Sequence, residues 1–180
     1  MQGAADLQGQ VAVVTGGSGD IGDAILSALI KRGAHGVSLD LVSSRSAEVD
    51  WIETDVTQEA SVQVAVEAVT KQQGRIDIAV HAAGISRDAV IWKLSPESWD
   101  LVHAVNLRGA FLLLHHVIPV MRQGDGGCIV LVGSINGSRG KFGLSAYAAS
   151  KAGLLGLSRS VARRLPAPGA RTARRDGNTP

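Results

Sequence analysis

The sequence predicts an α/β fold, a doubly wound parallel sheet with helices on both faces. Short apolar, β-branched runs alternate along the chain with longer amphipathic stretches, which is the pattern of repeated strand–helix–strand units. The first unit turns on a glycine cluster, GGSGDIG at 16–22, and no internal repeat or low-complexity segment breaks the alternation before residue 165.

Composition bounds what such a fold can serve. At 180 residues, with 45% hydrophobic and 19% charged side chains, the chain suits one domain with a sizeable core, over residues 1–165, followed by an irregular tail at 166–180. The apolar runs GAFLLL and CIVLV fall far short of the ~20 residues of a membrane span. MQGAADLQGQ at the start has neither the basic nor the apolar region of a signal peptide, so a cytoplasmic location without a membrane partner is expected. The single cysteine, Cys128, excludes an internal disulfide and reads as a small core residue at the start of a strand. Six of the eighteen basic residues lie in the last 22 positions, whereas residues 1–158 hold twelve basic against fifteen acidic side chains, a net of −3. The basic character belongs to the tail, and no aromatics are interleaved with its arginines to stack bases, so no nucleic-acid partner is expected.

The elements follow in order. QVAVVT at 10–15 is a strand leading into the glycine turn, and DAILSALIKRG is an amphipathic helix ending at Gly33. A glycine turn between strand and helix lets backbone N–H groups approach a diphosphate, and the helix N-terminus adds partial positive charge. Gly16, Ser18, Gly19, Asp20, Ile21 and Gly22 are therefore the candidate contacts to a nucleotide's phosphates. GVSLDL at 36–41 is the second strand, with Asp40 near its end, 24 residues after Gly16. A carboxylate there accepts hydrogen bonds from ribose hydroxyls and repels a 2′-phosphate, which favours NAD over NADP. Arg45, a few residues on, is the one feature that works against that preference. DWIETDV forms a third strand, after which Asp55 is either an adenine contact or a plain N-cap.

SVQVAVEAVTKQQG is an amphipathic helix, and IDIAVHAAG a buried fourth strand whose small terminal residues, Ala82, Ala83 and Gly84, let a ligand lie against the backbone. His81 is assigned a backbone role there. The five histidines show no metal-ligand spacing, and no metal site is expected. Ser95-Pro-Glu starts a long helix reaching about Met121, with Ser95 as N-cap and a proline at the first helical position. Asn106 inside it reads as inward-facing and hydrogen-bonded. CIVLVGS is a fifth strand, and the helix after it continues to about Leu165.

That last helix carries Tyr147 and Lys151, four residues apart and hence on one face. A free phenol, with a pKa of about 10, is a poor proton carrier at neutral pH, but a nearby ammonium favours its charged form and makes it a usable general acid or base. Ser134, thirteen residues earlier at a strand tip, can hold a substrate oxygen together with that phenol.

With these residues assembled, the chain resembles the short-chain dehydrogenase/reductase family over roughly residues 8–165. The resemblance rests on TGGSGDIG at 15–22, Asp40, Asp55-Val56, HAAG at 81–84, Asn106, Ser134, and Tyr147 with Lys151. It implies a Rossmann-like sheet of order 3-2-1-4-5 and hydride transfer between NAD(H) and a secondary alcohol or ketone. Tyr147 then passes the proton, Lys151 tunes it and holds the nicotinamide ribose, Ser134 positions the substrate carbonyl, and Asn106 holds a water of the proton relay. Val56, His81, Ala82, Ala83 and Gly84 become cofactor contacts, and the two long helices an oligomer interface.

Three departures from the family pattern stand out. Asp20 replaces the middle glycine of TGxxxGxG, where it can instead cap the helix; HAAG replaces NNAG; and LPAPGARTARRDGNTP stands where members continue into a sixth strand, a substrate loop and a seventh strand. That tail has no apolar run, as expected of a shifted reading frame or an aberrant splice. Two alternatives therefore stand beside the NAD(H) oxidoreductase. One is an inactive fragment, and the other a 3-oxoacyl-carrier-protein reductase using NADPH, against which Asp40 argues.

Overall fold

The structure is a computed structural model describing residues 6–162, so the expected tail at 166–180 lies outside the described residues. Every apolar run expected to be a strand forms one: β1 (Val11–Thr15), β2 (His35–Asp40), β3 (Asp50–Glu53), β4 (Ile78–His81) and β5 (Cys128–Leu131). All pair in parallel in the expected order β3-β2-β1-β4-β5. Register places Val13 of β1 between Val37 of β2 and Ala79 of β4. A parallel sheet is buried on both faces at its centre, so β1 and β4 are buried at every residue, while the edge strands β3 and β5 are mostly accessible.

That difference overturns one expectation. Cys128 does open β5, but its side chain is exposed, because an edge strand has a neighbour on one side only and, among the described residues, this one pairs with β4 alone. An apolar run predicts the strand, not its place in the sheet.

Helix α1 (Asp20–Ile30) covers one face, where Leu26 packs with Ala12, Val14 and Val80. On the other face lie α2 (Glu59–Gln73) and α4 (Gly109–Gln123), whose Val62, Val66, Val69, Leu112, Leu113, Val117 and Met121 meet Val11, Val13, Val37 and Leu39. Each such side chain contributes about 1.5–3 kcal/mol when fully buried. Helix α2 ends as its sequence suggests, at Gly74 with φ 75°, whose N–H reaches the Thr70 carbonyl.

The long helix is continuous from Pro96 to Gln123, 28 residues. It comprises α3 (Pro96–His103), a π-turn at Ala104–Arg108, and α4. Ser95 caps it, its hydroxyl accepting the Ser98 N–H at 3.1 Å. Its length and a mean hydropathy of 1.4 over 18 residues would suit a membrane span, a possibility the short apolar runs concealed, yet its apolar side packs on the sheet and α2. Two features lack a sequence signal: the π-turn, and the short helix α5 (Asn136–Arg139) preceding α6 (Ser145–Ala162).

Candidate active site

The C-terminal ends of β1, β2 and β4 open onto a cleft of about 290 Å³. Its walls include Gly16, Gly19, Asp40, Asp55, Val56, Ala82, Ala83 and Gly84, eight of the expected cofactor residues, together with Leu39, Leu41, Thr54, Ile85 and Val105. Glycine is required at its rim. Gly16 has φ +67°, and a Cβ there would lie 2.7 Å from the Ala83 Cα. Gly22, in the first turn of α1, would drive a Cβ to 2.1 Å from the Gly16 carbonyl oxygen, so its role is the close packing of helix on turn. Ile21 is 60% exposed beside it.

The expected capping role of Asp20 is not what the structure has. Gly19 is the N-cap of α1, with no side-chain cap, and the Asp20 carboxylate turns outward to accept Arg45 Nη1 at 3.1 Å. Asp20 is the first residue of the helix, and its carboxylate pairs with Arg45 instead of the free N–H groups. Asp55 is likewise not the N-cap of α2, which is Gln58. Its Oδ1 accepts the N–H and hydroxyl of Thr57 at 2.9 and 2.7 Å, an Asx-turn ahead of the helix.

Asp40 is fixed by its neighbours. Its carboxylate accepts the Ser18 N–H at 3.0 Å and the Val42 N–H at 3.3 Å. Ser18 is buried, its hydroxyl donating to the Val42 carbonyl at 2.7 Å, so it ties the glycine turn to the end of β2.

Helix α6 carries both Tyr147 and Lys151. Lys151 is buried, its Nζ donates to the Val132 carbonyl at 2.7 Å, and Nζ lies 5.7 Å from the Tyr147 ring centroid. Burial pushes the Lys151 pKa down. A Cβ built on Gly84 would lie 3.4 Å from Lys151 Nζ and 3.5 Å from Asn106 Oδ1, so lysine and asparagine converge on the glycine that floors the cleft. Ser134 follows β5, its hydroxyl accepting the Asn136 N–H at 3.2 Å. The segment is held to α6 by Gly137, where a Cβ would meet the Lys151 carbonyl carbon at 2.8 Å.

Asn106 is fully buried within the π-turn, inward as expected. Its amide donates to the Ile85 carbonyl and the Ser150 hydroxyl, both at 3.0 Å, and accepts the Ile85 N–H at 2.8 Å. Both amide hydrogens are thereby used, while Oδ1 keeps a second lone pair. Ser150 and Ile85, neither singled out by the sequence, complete this network; the only hint was their place beside Lys151 and Gly84.

His81 does more than lend its backbone. The ring is fully buried behind the cleft, with Nδ1 bonded to the Thr15 hydroxyl at 2.8 Å and Nε2, near the Val105 and Asn106 backbone, making no hydrogen bond of good geometry among the described residues. Burial, and secondly the Lys151 charge, bring its pKa down from 6.5 to about 4, so the ring is neutral at physiological pH.

The family model for short chain dehydrogenase matches residues 10–172. This chain belongs to the short-chain dehydrogenase family. It is 36% identical to a 3-oxoacyl-[acyl-carrier-protein] reductase of Thermotoga maritima, covering 88% of this chain and 69% of the relative. An acetoacetyl-CoA reductase of Acinetobacter is 32% identical, with 85% and 67% covered. Among solved structures, the ligand-free aldohexose dehydrogenase of Thermoplasma acidophilum superposes with a TM-score of 0.87 at 32% identity, over 89% of this chain and 63% of that one. The chain thus spans about two thirds of each relative's length. Membership makes it an oxidoreductase of a family acting on small molecules through NAD or NADP.

Proposed function

We propose that this short-chain dehydrogenase moves hydride between NAD(H) and a secondary alcohol or its ketone, with Tyr147 as general acid and base. One observation carries the reading: Lys151 Nζ and Asn106 meet at Gly84, on the floor of a cleft that runs to the Asp40 carboxylate.

The residues present fit a dinucleotide. Gly19 leaves the first N–H groups of α1 without a side-chain cap, open to a diphosphate. The outward turn of Asp20 toward Arg45 keeps its charge off that path. Asp40 stands where ribose hydroxyls donate and a 2′-phosphate is repelled.

When bound, the nicotinamide supplies or accepts the hydride at the substrate carbon. Tyr147 gives its proton to the carbonyl oxygen in reduction and takes it back in oxidation. Negative charge developing on the phenol oxygen meets the Lys151 ammonium. Lys151 spends one of its three hydrogens on Val132, and the other two serve a ribose hydroxyl. Because Ser134 accepts from Asn136, its own hydroxyl hydrogen is available to the substrate oxygen. Asn106 holds Ile85 and α6 in register.

The exposed Phe111 and the neighbouring Leu107 and Leu157, on the long helix and α6, support a homo-oligomer through these helices. The names of two relatives favour a second reading of the substrate, a 3-oxoacyl thioester.

Thermal unfolding with NADH and NADPH in parallel tests the cofactor, since a ligand of the folded state raises stability by RT ln(1 + [L]/Kd). A shift with NADH alone is expected; absence of any shift would favour the inactive alternative. Turnover of simple secondary alcohols and of acetoacetyl-CoA then separates the two substrate readings. Tyr147→Phe should lower turnover by about 10²–10⁴-fold while leaving the NADH shift in place, and unchanged turnover would sink the acid–base assignment.

A further inference from the structure

Away from the catalytic group, two helices bring three metal-ligating side chains together. His115 and His116 are neighbours on α4, and Glu59 is the first residue of α2. One ligand atom from each lies within 4.8 Å of the other two. The imidazoles stand edge to face with centroids 4.9 Å apart, and Phe111 supports the His115 ring at 5.7 Å. Nε2 of His116 is buried without a hydrogen-bond partner among the described residues, a condition that costs about 1–3 kcal/mol when nothing answers it. The histidine side chains also line an open groove of about 520 Å³ between α2 and α4.

We propose that Glu59, His115 and His116 bind a divalent transition-metal ion of the Zn²⁺, Ni²⁺ or Cu²⁺ class, clamping the start of α2 to the middle of α4. Two imidazoles and a carboxylate are the donor set such ions select, whereas Mg²⁺ and Ca²⁺ require more oxygen ligands. With metal–ligand bonds of about 2.0–2.2 Å, tetrahedral ligand atoms lie about 3.3 Å apart, so the side chains close by roughly 1.5 Å. Glu59 and His115 are exposed and His116 is half-buried, which leaves the first two free to rotate inward. Three protein ligands leave a coordination position for water. Because Glu59 lies 56 residues before His115, the set assembles only in the folded chain, and the metal stabilises that state.

The test uses the full chain carrying Cys128→Ser, which removes the exposed thiol as a competing zinc ligand. Calorimetric titration with Zn²⁺ should give one site per chain, and thermal unfolding should shift upward with Zn²⁺ and not with Mg²⁺. Losing a ligand outright should weaken binding by at least the roughly tenfold that loss of a supporting partner costs. Glu59→Gln and His115→Ala should each do so, both at exposed positions that spare the fold. His35→Ala, which breaks the separate exposed pair of His35 and Asp50, should leave binding unchanged. Absence of one-to-one binding, or binding undiminished in both Glu59→Gln and His115→Ala, would overturn the proposal.

Discussion

Asp40 and His81 are both polar groups at strand ends, and their surroundings give them opposite tasks. Two backbone N–H groups hold the Asp40 carboxylate at the cleft wall, while the exposed Asp20–Arg45 pair is of a kind worth only about 0–1 kcal/mol. In the proposed reading, cofactor choice therefore rests on Asp40. Asp40→Ala should weaken the NADH-induced thermal shift and strengthen the NADPH-induced one, whereas Arg45→Ala should leave the order of the two unchanged; the parallel titrations read both. His81 instead contributes to the pH dependence of stability. Its folded pKa of about 4 lies below the ordinary 6.5, so between those values the unfolded chain binds more protons and stability rises with pH. The contribution is complete above pH ~6.5 and is lost as pH falls through ~4, on the order of 3 kcal/mol in all. Denaturant midpoints across this range should fall less steeply for His81→Asn than for the parent, and parallel curves would refute the assignment.

At the scale of elements, helix α6 owes its position to close backbone approach and to one buried amide. Gly137 brings α5 within contact of the Lys151 backbone, so Gly137→Ala must push them apart. Overpacking of this kind costs about 1–3 kcal/mol, and here it displaces the helix bearing Tyr147; a lower urea midpoint at unchanged m, with a fall in kcat, is the expected result. Asn106 links the π-turn to Ile85 and Ser150. Asn106→Ala leaves the half-buried Ile85 N–H and carbonyl without this partner, while the Ser150 hydroxyl keeps its bond to the Tyr147 carbonyl, and unfolding should come earlier by about 1–3 kcal/mol. The helices themselves were readable, because Ser95, Pro96 and Gly74 signal their own ends through caps and backbone preferences. The π-turn was not, since an extra residue in a helical turn leaves the apolar spacing on either side nearly intact.

For the molecule as a whole, the edge position of β5 should make Cys128 react with thiol reagents in the native chain at a rate close to that of the unfolded chain; strong protection would mean that another copy or segment covers this edge. The strand order came from the family resemblance, whereas the number and bounds of the strands and the shared helical face of Tyr147 and Lys151 were legible in the sequence, because apolar period, glycine turns and i,i+4 spacing are local properties that survive without knowledge of neighbours. So were the walls of the cleft, since a parallel α/β sheet collects its strand ends on one side. Tertiary structure decided what depends on partners distant in the chain: the turn of Asp20 to Arg45, the exposure of Cys128, the commitment of the Asn106 amide, and the meeting of Glu59 with His115 and His116. Those outcomes depend on which surfaces packing brings face to face, and the order of residues along the chain does not state that directly.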